Sequence, residues 1–184
     1  MSVKSATAFG LSSGLEPAMV FLTTQSFSAA SSFSLPDNTF TSTYDNYKII
    51  VQLTGVSADT NLNFRIRAAG TDLTAASYYG VLIGREVDND AYNANNNGDG
   101  SLKIIELDSG NNNSSYHFSM EIIGPKTLTR TLINYAASGV ASSGAIQGSS
   151  GAGLVYNDLS YDSMTMFTGS GTVSGKYSVY GYNK

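Results

Sequence analysis

Apolar and polar residues alternate with a period of two along most of this chain, and that pattern constrains the fold more than any other feature. In Asn61–Ala68, Leu62, Phe64, Ile66 and Ala68 share one side, while Asn61, Asn63, Arg65 and Arg67 share the other. Tyr116–Ile122 repeats the pattern: Tyr116, Phe118, Met120 and Ile122 point one way, and His117, Ser119 and Glu121 the other. Alternation of this kind marks half-buried antiparallel strands. Phe64 and Phe118 are therefore expected in the core, and Arg65 and Ser119 on the surface. Tyr47–Leu53 reads as a more deeply buried strand, with Ile50 on its second face. Further strands are expected at Ala18–Ser28, Tyr78–Arg85, Ser101–Leu107, Leu128–Ala136, Ser163–Thr168 and Lys176–Tyr182, with a weaker one at Ala145–Tyr156. No segment of ten or more residues carries helical periodicity.

Turn signals separate these runs: Gly55–Asp59, Ala69–Asp72, Asn97–Gly100, Gly110–Asn113, Gly169–Gly171 and Ser174–Gly175. Glycine and asparagine tolerate the positive φ of tight hairpins. About eight to ten strands at this spacing, without helices, mean an antiparallel sandwich or barrel. No fixed-period repeat points to a solenoid or propeller. In the last strand Tyr180 and Tyr182 lie opposite Tyr177 and Val179, so burial on both sides is expected, by the same domain or by another subunit.

Composition narrows the chemistry. The 184 residues contain no cysteine, which excludes disulfides, zinc thiolates, iron–sulfur clusters and thiol nucleophiles. A single histidine, His117, excludes a three-histidine metal site within one subunit. Charged residues make up 13% of the chain, whereas Ser, Thr, Asn and Gly together supply about 42%, far above ordinary usage. A net charge of −4 opposes a nucleic-acid-binding surface, which needs a basic field. No apolar run is long enough to span a membrane, no basic amphipathic face favours insertion into one, and no apolar run after Lys4 has the length of a secretory signal.

Residues 1–17 read as an extended N-terminal arm, and residues 18–184 as one β-domain. The arm scatters Phe9, Leu11 and Leu15 among small polar residues, with Gly10 and Gly14 as joints. It is too sparse to form a core of its own. These three side chains are the expected contacts to another subunit or another protein of an assembly.

Catalytic constellations are weak. His117 sits on the polar face of a strand, without the GxSxG elbow of a hydrolase nucleophile. Gly144–Gly153 has a loose glycine pattern but lacks the GK[ST] of a phosphate loop, and it reads as a flexible connection. Asp88–Gly100 offers Asp88, Asp90 and Asp99 with several asparagines. The spacing of Asn93, Asn95, Asn97 and Gly98 partly imitates a calcium loop. Asparagine at the first ligand position and Ile104 at the twelfth break the imitation, and an asparagine-rich connecting loop is expected instead. Asp37, Asp45, Asp59, Asp72, Asp108 and Asp158 lie in turn contexts. No apolar surroundings are expected to raise a carboxyl pKa there, as a glycosidase acid requires. No cofactor and no metal are expected. Twelve tyrosines suit both core and interface roles, since one end is apolar and the other polar.

Tyr44-Asp-Asn-Tyr-Lys-Ile-Ile-Val-Gln-Leu53, followed by Leu62-Asn-Phe-Arg-Ile-Arg67 and Ala76-Ser-Tyr-Tyr79, resembles a β-domain of bacteriophage virion proteins. Met164–Gly181 resembles the C-terminal part of the same domains. The resemblance spans roughly residues 40–184. It implies a jelly-roll-like sandwich without catalysis, located in the virion as a tail-fibre, receptor-binding or head-decoration protein. The partners it implies are other virion proteins, further copies of the chain and a host surface glycan. A lectin-like carbohydrate-binding adhesin is the alternative. The absence of tryptophan weighs against it, although tyrosine also stacks on sugars.

Overall fold

The large hydrophobic side chains cannot be hidden by one pleated sheet, and two sheets close over them. The computed structural model describes residues 18–87, 91–109, 115–140 and 144–182. Among the described residues thirteen strands follow one another: β1 (Met19–Ala30), β2 (Ser32–Ser34), β3 (Asn46–Val56), β4 (Thr60–Ala68), β5 (Thr71–Asp72), β6 (Tyr78–Glu86), β7 (Ala91–Asp99), β8 (Leu102–Leu107), β9 (Ser115–Ile123), β10 (Thr131–Val140), β11 (Ile146–Val155), β12 (Ser163–Thr168) and β13 (Val173–Tyr182). No helix occurs among the described residues. The expected all-β antiparallel sandwich is what forms, and the arm expected at residues 1–17 lies outside the described residues.

One sheet has eight strands in the order β1-β13-β3-β9-β10-β11-β6-β7. The other runs β2-β12-β4. The free side of β4 is shared between β8, along Thr60–Phe64, and β5, at Arg67 and Ala68. All pairings are antiparallel. Set apart from the rest, β1-β13-β3-β9 and β2-β12-β4-β8 form two four-stranded sheets with jelly-roll connectivity. The hairpins β6–β7 and β10–β11 are insertions into that plan. The first lies between β5 and β8, the second between β9 and β12, and they meet along β11 and β6 to double the width of one sheet.

Strand β8 lies under this extension and supplies its inner cover. Leu102, Ile104, Ile105 and Leu107 are all buried. Gly80 and Gly153 are direct cross-strand partners, and Leu102 fills the gap they leave: a Cβ on Gly80 would meet its Cδ1 at 2.6 Å. Tyr135 reaches across from β10 to donate to the Lys103 carbonyl at 2.9 Å, and Ser149 Oγ donates to the Ile104 carbonyl at 3.4 Å.

The tyrosines divide their work at the hydroxyl. Tyr47, Tyr78, Tyr116, Tyr161 and Tyr177 are among the largest fully buried side chains. The Tyr47 hydroxyl donates to the Thr41 carbonyl and accepts from the Thr41 amide. The Tyr78 hydroxyl donates to the Leu73 carbonyl and accepts from the Ile66 amide. Tyr116 accepts from the Asp108 amide, and Tyr177 donates to Gln25 Oε1. For Tyr47, Tyr78, Tyr116 and Tyr177 the ring is core and the polar tip bonds the backbone or a side chain of a crossing segment, whereas the buried Tyr161 hydroxyl has no hydrogen-bond partner among the described residues.

Several local expectations need correction. Ala91–Asp99 is an edge strand on β6, not a connecting loop. Tyr92 and Ala94 pack on the core while Asn93, Asn95 and Asn97 face out, so the alternation exists but is written mostly in asparagine. Gly144–Gly153 is no flexible connection either: Ile146–Val155 is an interior strand between β10 and β6. Its glycines admit Tyr135 and Leu102. The strand expected at Leu128–Ala136 runs instead from Thr131 to Val140, because Leu128 belongs to an exposed turn. Tyr180 and Tyr182 are half-buried on the outer side of β13. Tyr180 makes an edge contact with Phe21 of β1, and Tyr182 donates to Glu121 Oε1 at 2.8 Å.

Candidate functional site

The residues expected to contact partners, Phe9, Leu11 and Leu15, lie outside the described residues, as do Asp88 and Asp90 of the acidic stretch. Asp99 is described. Its Oδ2 accepts from Asn96 Nδ2 at 2.8 Å and from the Asn97 amide at 3.3 Å, so it holds the turn into β8. No cluster of three or more metal-ligating side chains forms among the described residues. His117 is exposed on the outer face of β9, in a shallow groove with Gln52, Ser138 and Ile146.

One group of carboxylates does converge, and sequence reasoning missed its electrostatics. Asp59 accepts from both the amide and the hydroxyl of Ser109, at 2.7 and 2.8 Å, and these bonds hold its carboxyl below the ordinary carboxylate value. The neighbouring Asp108 moves the other way. Partial burial raises its pKa, and the charges of Asp59, Glu86 and Glu106 add to that rise. Asp108 was expected to be an unperturbed turn residue. Its surroundings are supplied by β6, β8 and the β4 end, which are distant in sequence. Gln147 Nε2 donates to Asp108 Oδ2 at 3.1 Å and gives the carboxylate a partner.

The outer surface of the β10–β11–β6 extension ends in a different kind of site. Arg130 and Tyr156 flank the first pair of the β10–β11 ladder, Thr131 and Val155, and both face outward. The Arg130 guanidinium lies over the Tyr156 ring, 4.0 Å from its centroid. Tyr79 meets Tyr156 edge to face with centroids 5.9 Å apart. With Asn157 and Asp158, Arg130 and Tyr156 line an open cleft of about 330 Å³. The cleft thus combines one exposed aromatic ring, a cation, an amide and a carboxylate. That set can stack on a ring-shaped ligand and hydrogen-bond its polar groups. Sequence showed only scattered tyrosines; the cleft exists because β10 and β11 pair and bring Arg130 beside Tyr156.

Comparison with family models, curated proteins and solved structures found no match to this chain.

Proposed function

We propose that the chain is a non-enzymatic surface protein of a phage virion. In this reading it is a tail-fibre, receptor-binding or capsid-decoration protein that assembles through residues 1–17 and displays the β-sandwich. The observation that carries the reading is the strand order β1-β13-β3-β9 against β2-β12-β4-β8, broadened by two inserted hairpins. It joins the jelly-roll expectation raised by the Tyr44–Arg67 and Met164–Gly181 motifs to a wide, weakly charged display surface. Co-purification tests it directly. The chain should band with intact particles in a density gradient and be labelled on their surface by antibody in electron micrographs. Its absence from washed particles would refute the reading. A chain beginning at Ala18 should keep its circular dichroism spectrum and lose incorporation, because Phe9, Leu11 and Leu15 are the proposed anchors.

The cleft at Arg130, Tyr156, Asn157 and Asp158 favours a second, overlapping reading: a lectin-like adhesin that binds a surface glycan. Aromatic faces stack on the apolar side of a sugar ring, while amide and carboxylate groups take its hydroxyls. Glycan-array binding that disappears in Tyr156→Ala would support this reading, and an array without signal would remove it.

A further inference from the structure

The outer face of the inserted half of the large sheet carries a band of exposed apolar side chains and almost no charge. The register places Leu132, Leu154 and Tyr79 in one row across β10, β11 and β6, with Ala152 beside Val81 in the next row and Ile83 in the third. These are not grazing exposures: Ile83 is 68%, Val81 54% and Leu132 45% accessible. Of the outward positions on β10, β11, β6 and β7, Arg85 alone carries a charge. The outer face of the other sheet is different. There Arg65 lies over Phe167, Arg67 pairs with Asp37 and Asp72, and Lys103 pairs with Glu106. Clustered exposed apolar side chains on one face only are a mark of an interaction surface.

We propose that this face is the contact between two copies of the chain, packed sheet on sheet about a two-fold axis. The proposal rests on the assembling part of the function given above and names the surface that performs it. Three observations select a second copy as the occupant.

The first is relief. Val81 and Ile83 make a ridge along β6, and their cross-strand partners Ala152 and Ser150 make a groove along neighbouring β11. A two-fold axis parallel to the strands, between β6 and β11, sets the ridge of each copy over the groove of the other. Ile83 then lies above Ser150, and Val81 above Ala152. Small groove residues let the sheets approach to the ~10 Å of ordinary sheet packing.

The second is charge. The chain carries a net −4, so most pairings of its surface oppose like charges. Among the described residues, the outward positions of these strands contain no carboxylate, and self-packing buries none of theirs.

The third is area. Four strands about 4.8 Å apart, with four outward residues each, present about 500 Å² per copy, or about 1,000 Å² for the pair, at the lower bound for a specific interface.

Sedimentation of the purified full chain tests the proposal. The parent should behave as a dimer of about twice the 19.4 kDa chain mass. Ile83→Lys and Ser150→Arg, one raising the ridge charge and one filling the groove, should each weaken the dimer by about tenfold or more. Ser178→Lys, on the far half of the same sheet, should leave it intact. Circular dichroism spectra of all three should match the parent, since the altered side chains face outward. A parent that stays monomeric at about 100 μM, in the weak-dimer range, a closed trimer, or a dimer that survives both Ile83→Lys and Ser150→Arg would overturn the proposal. None of these results depends on whether the chain is found on particles, so failure of this interface and failure of the virion reading are separable.

Discussion

Tyr135 and Gly151 face each other directly across β10 and β11, and the tyrosine ring occupies the space of the side chain the glycine lacks. The same arrangement joins Tyr116 to Gly139 across β9 and β10, and Tyr92 to Gly84 across β7 and β6. Three large rings therefore lie down over adjacent strands instead of standing up, and the inner layer under the extension stays thin enough for a single strand, β8, to cover it.

Gly151→Ala should be costly for this reason. A Cβ there would enter the Tyr135 ring and come within 2.7 Å of the Val81 carbonyl oxygen, which the β6 backbone holds in place. Overpacking of this kind costs typically 1–3 kcal/mol, about as much as deleting a small core side chain. Gly148→Ala is the control, because its Cβ would meet only the Ala137 oxygen, at 3.9 Å. That change should stay within about ±0.5 kcal/mol. Denaturant midpoints of the two variants check the contrast, and equal losses would contradict it.

Phe64→Ala and Phe118→Ala should each lose about 3–5 kcal/mol, as buried aromatic truncations do, since both rings are fully buried. Ser119→Ala should be nearly silent. Arg65→Ala falls between the two. Its Nε donates to the Gly100 carbonyl at 2.8 Å and its guanidinium lies 4.4 Å from the Phe167 centroid, so a loss of about 1–2 kcal/mol is expected. Thermal unfolding of the four variants should rank them in that order.

Alkaline titration should show two classes of tyrosine. Burial pushes Tyr116 and Tyr177 up to about 12, and it raises Tyr78, Tyr135 and Tyr161 as well. A tyrosine whose folded pKa exceeds its unfolded value near 10 stabilises the fold fully below pH ~10, and that contribution is lost as pH rises through the folded value. Absorbance at 295 nm should therefore show these five rings neutral until the protein unfolds. They should then ionise together with the loss of circular dichroism. Smooth ionisation of all twelve tyrosines near pH 10, ahead of unfolding, would show that the rings are not buried as described.

Calcium should not bind to the Asp88–Gly100 stretch. Asp99 is already engaged by Asn96 and the Asn97 amide, and Ala91–Asp99 is committed to the ladder with β6. Calorimetry at millimolar calcium should give no binding heat. A saturable heat that vanishes in Asp99→Ala would reinstate a metal site there.

Much of this architecture was legible in the sequence because burial acts on it locally. In Leu62, Phe64 and Ile66, and in Tyr116, Phe118 and Met120, every second residue must leave water, so a strand and its inward face follow from periodicity alone. Ala91–Asp99 was illegible for the opposite reason. As an edge strand it needs few apolar side chains, and its asparagines read as turn formers until the backbone of Tyr79–Arg85 supplies the ladder. Gly148–Gly153 misled in the same way, since a glycine run looks flexible until Tyr135 and Leu102 occupy the space above it. The Arg130–Tyr156 cleft depends on β10 pairing with β11, and the apolar rows through Leu154 and Val81 depend on β11 pairing with β6, strands more than sixty residues apart. Period and composition determined that this chain is a β-sandwich. Only the tertiary structure decided which strands meet, because pairing is selected by the long-range fit of rings, glycines and backbone hydrogen bonds, which no local pattern encodes.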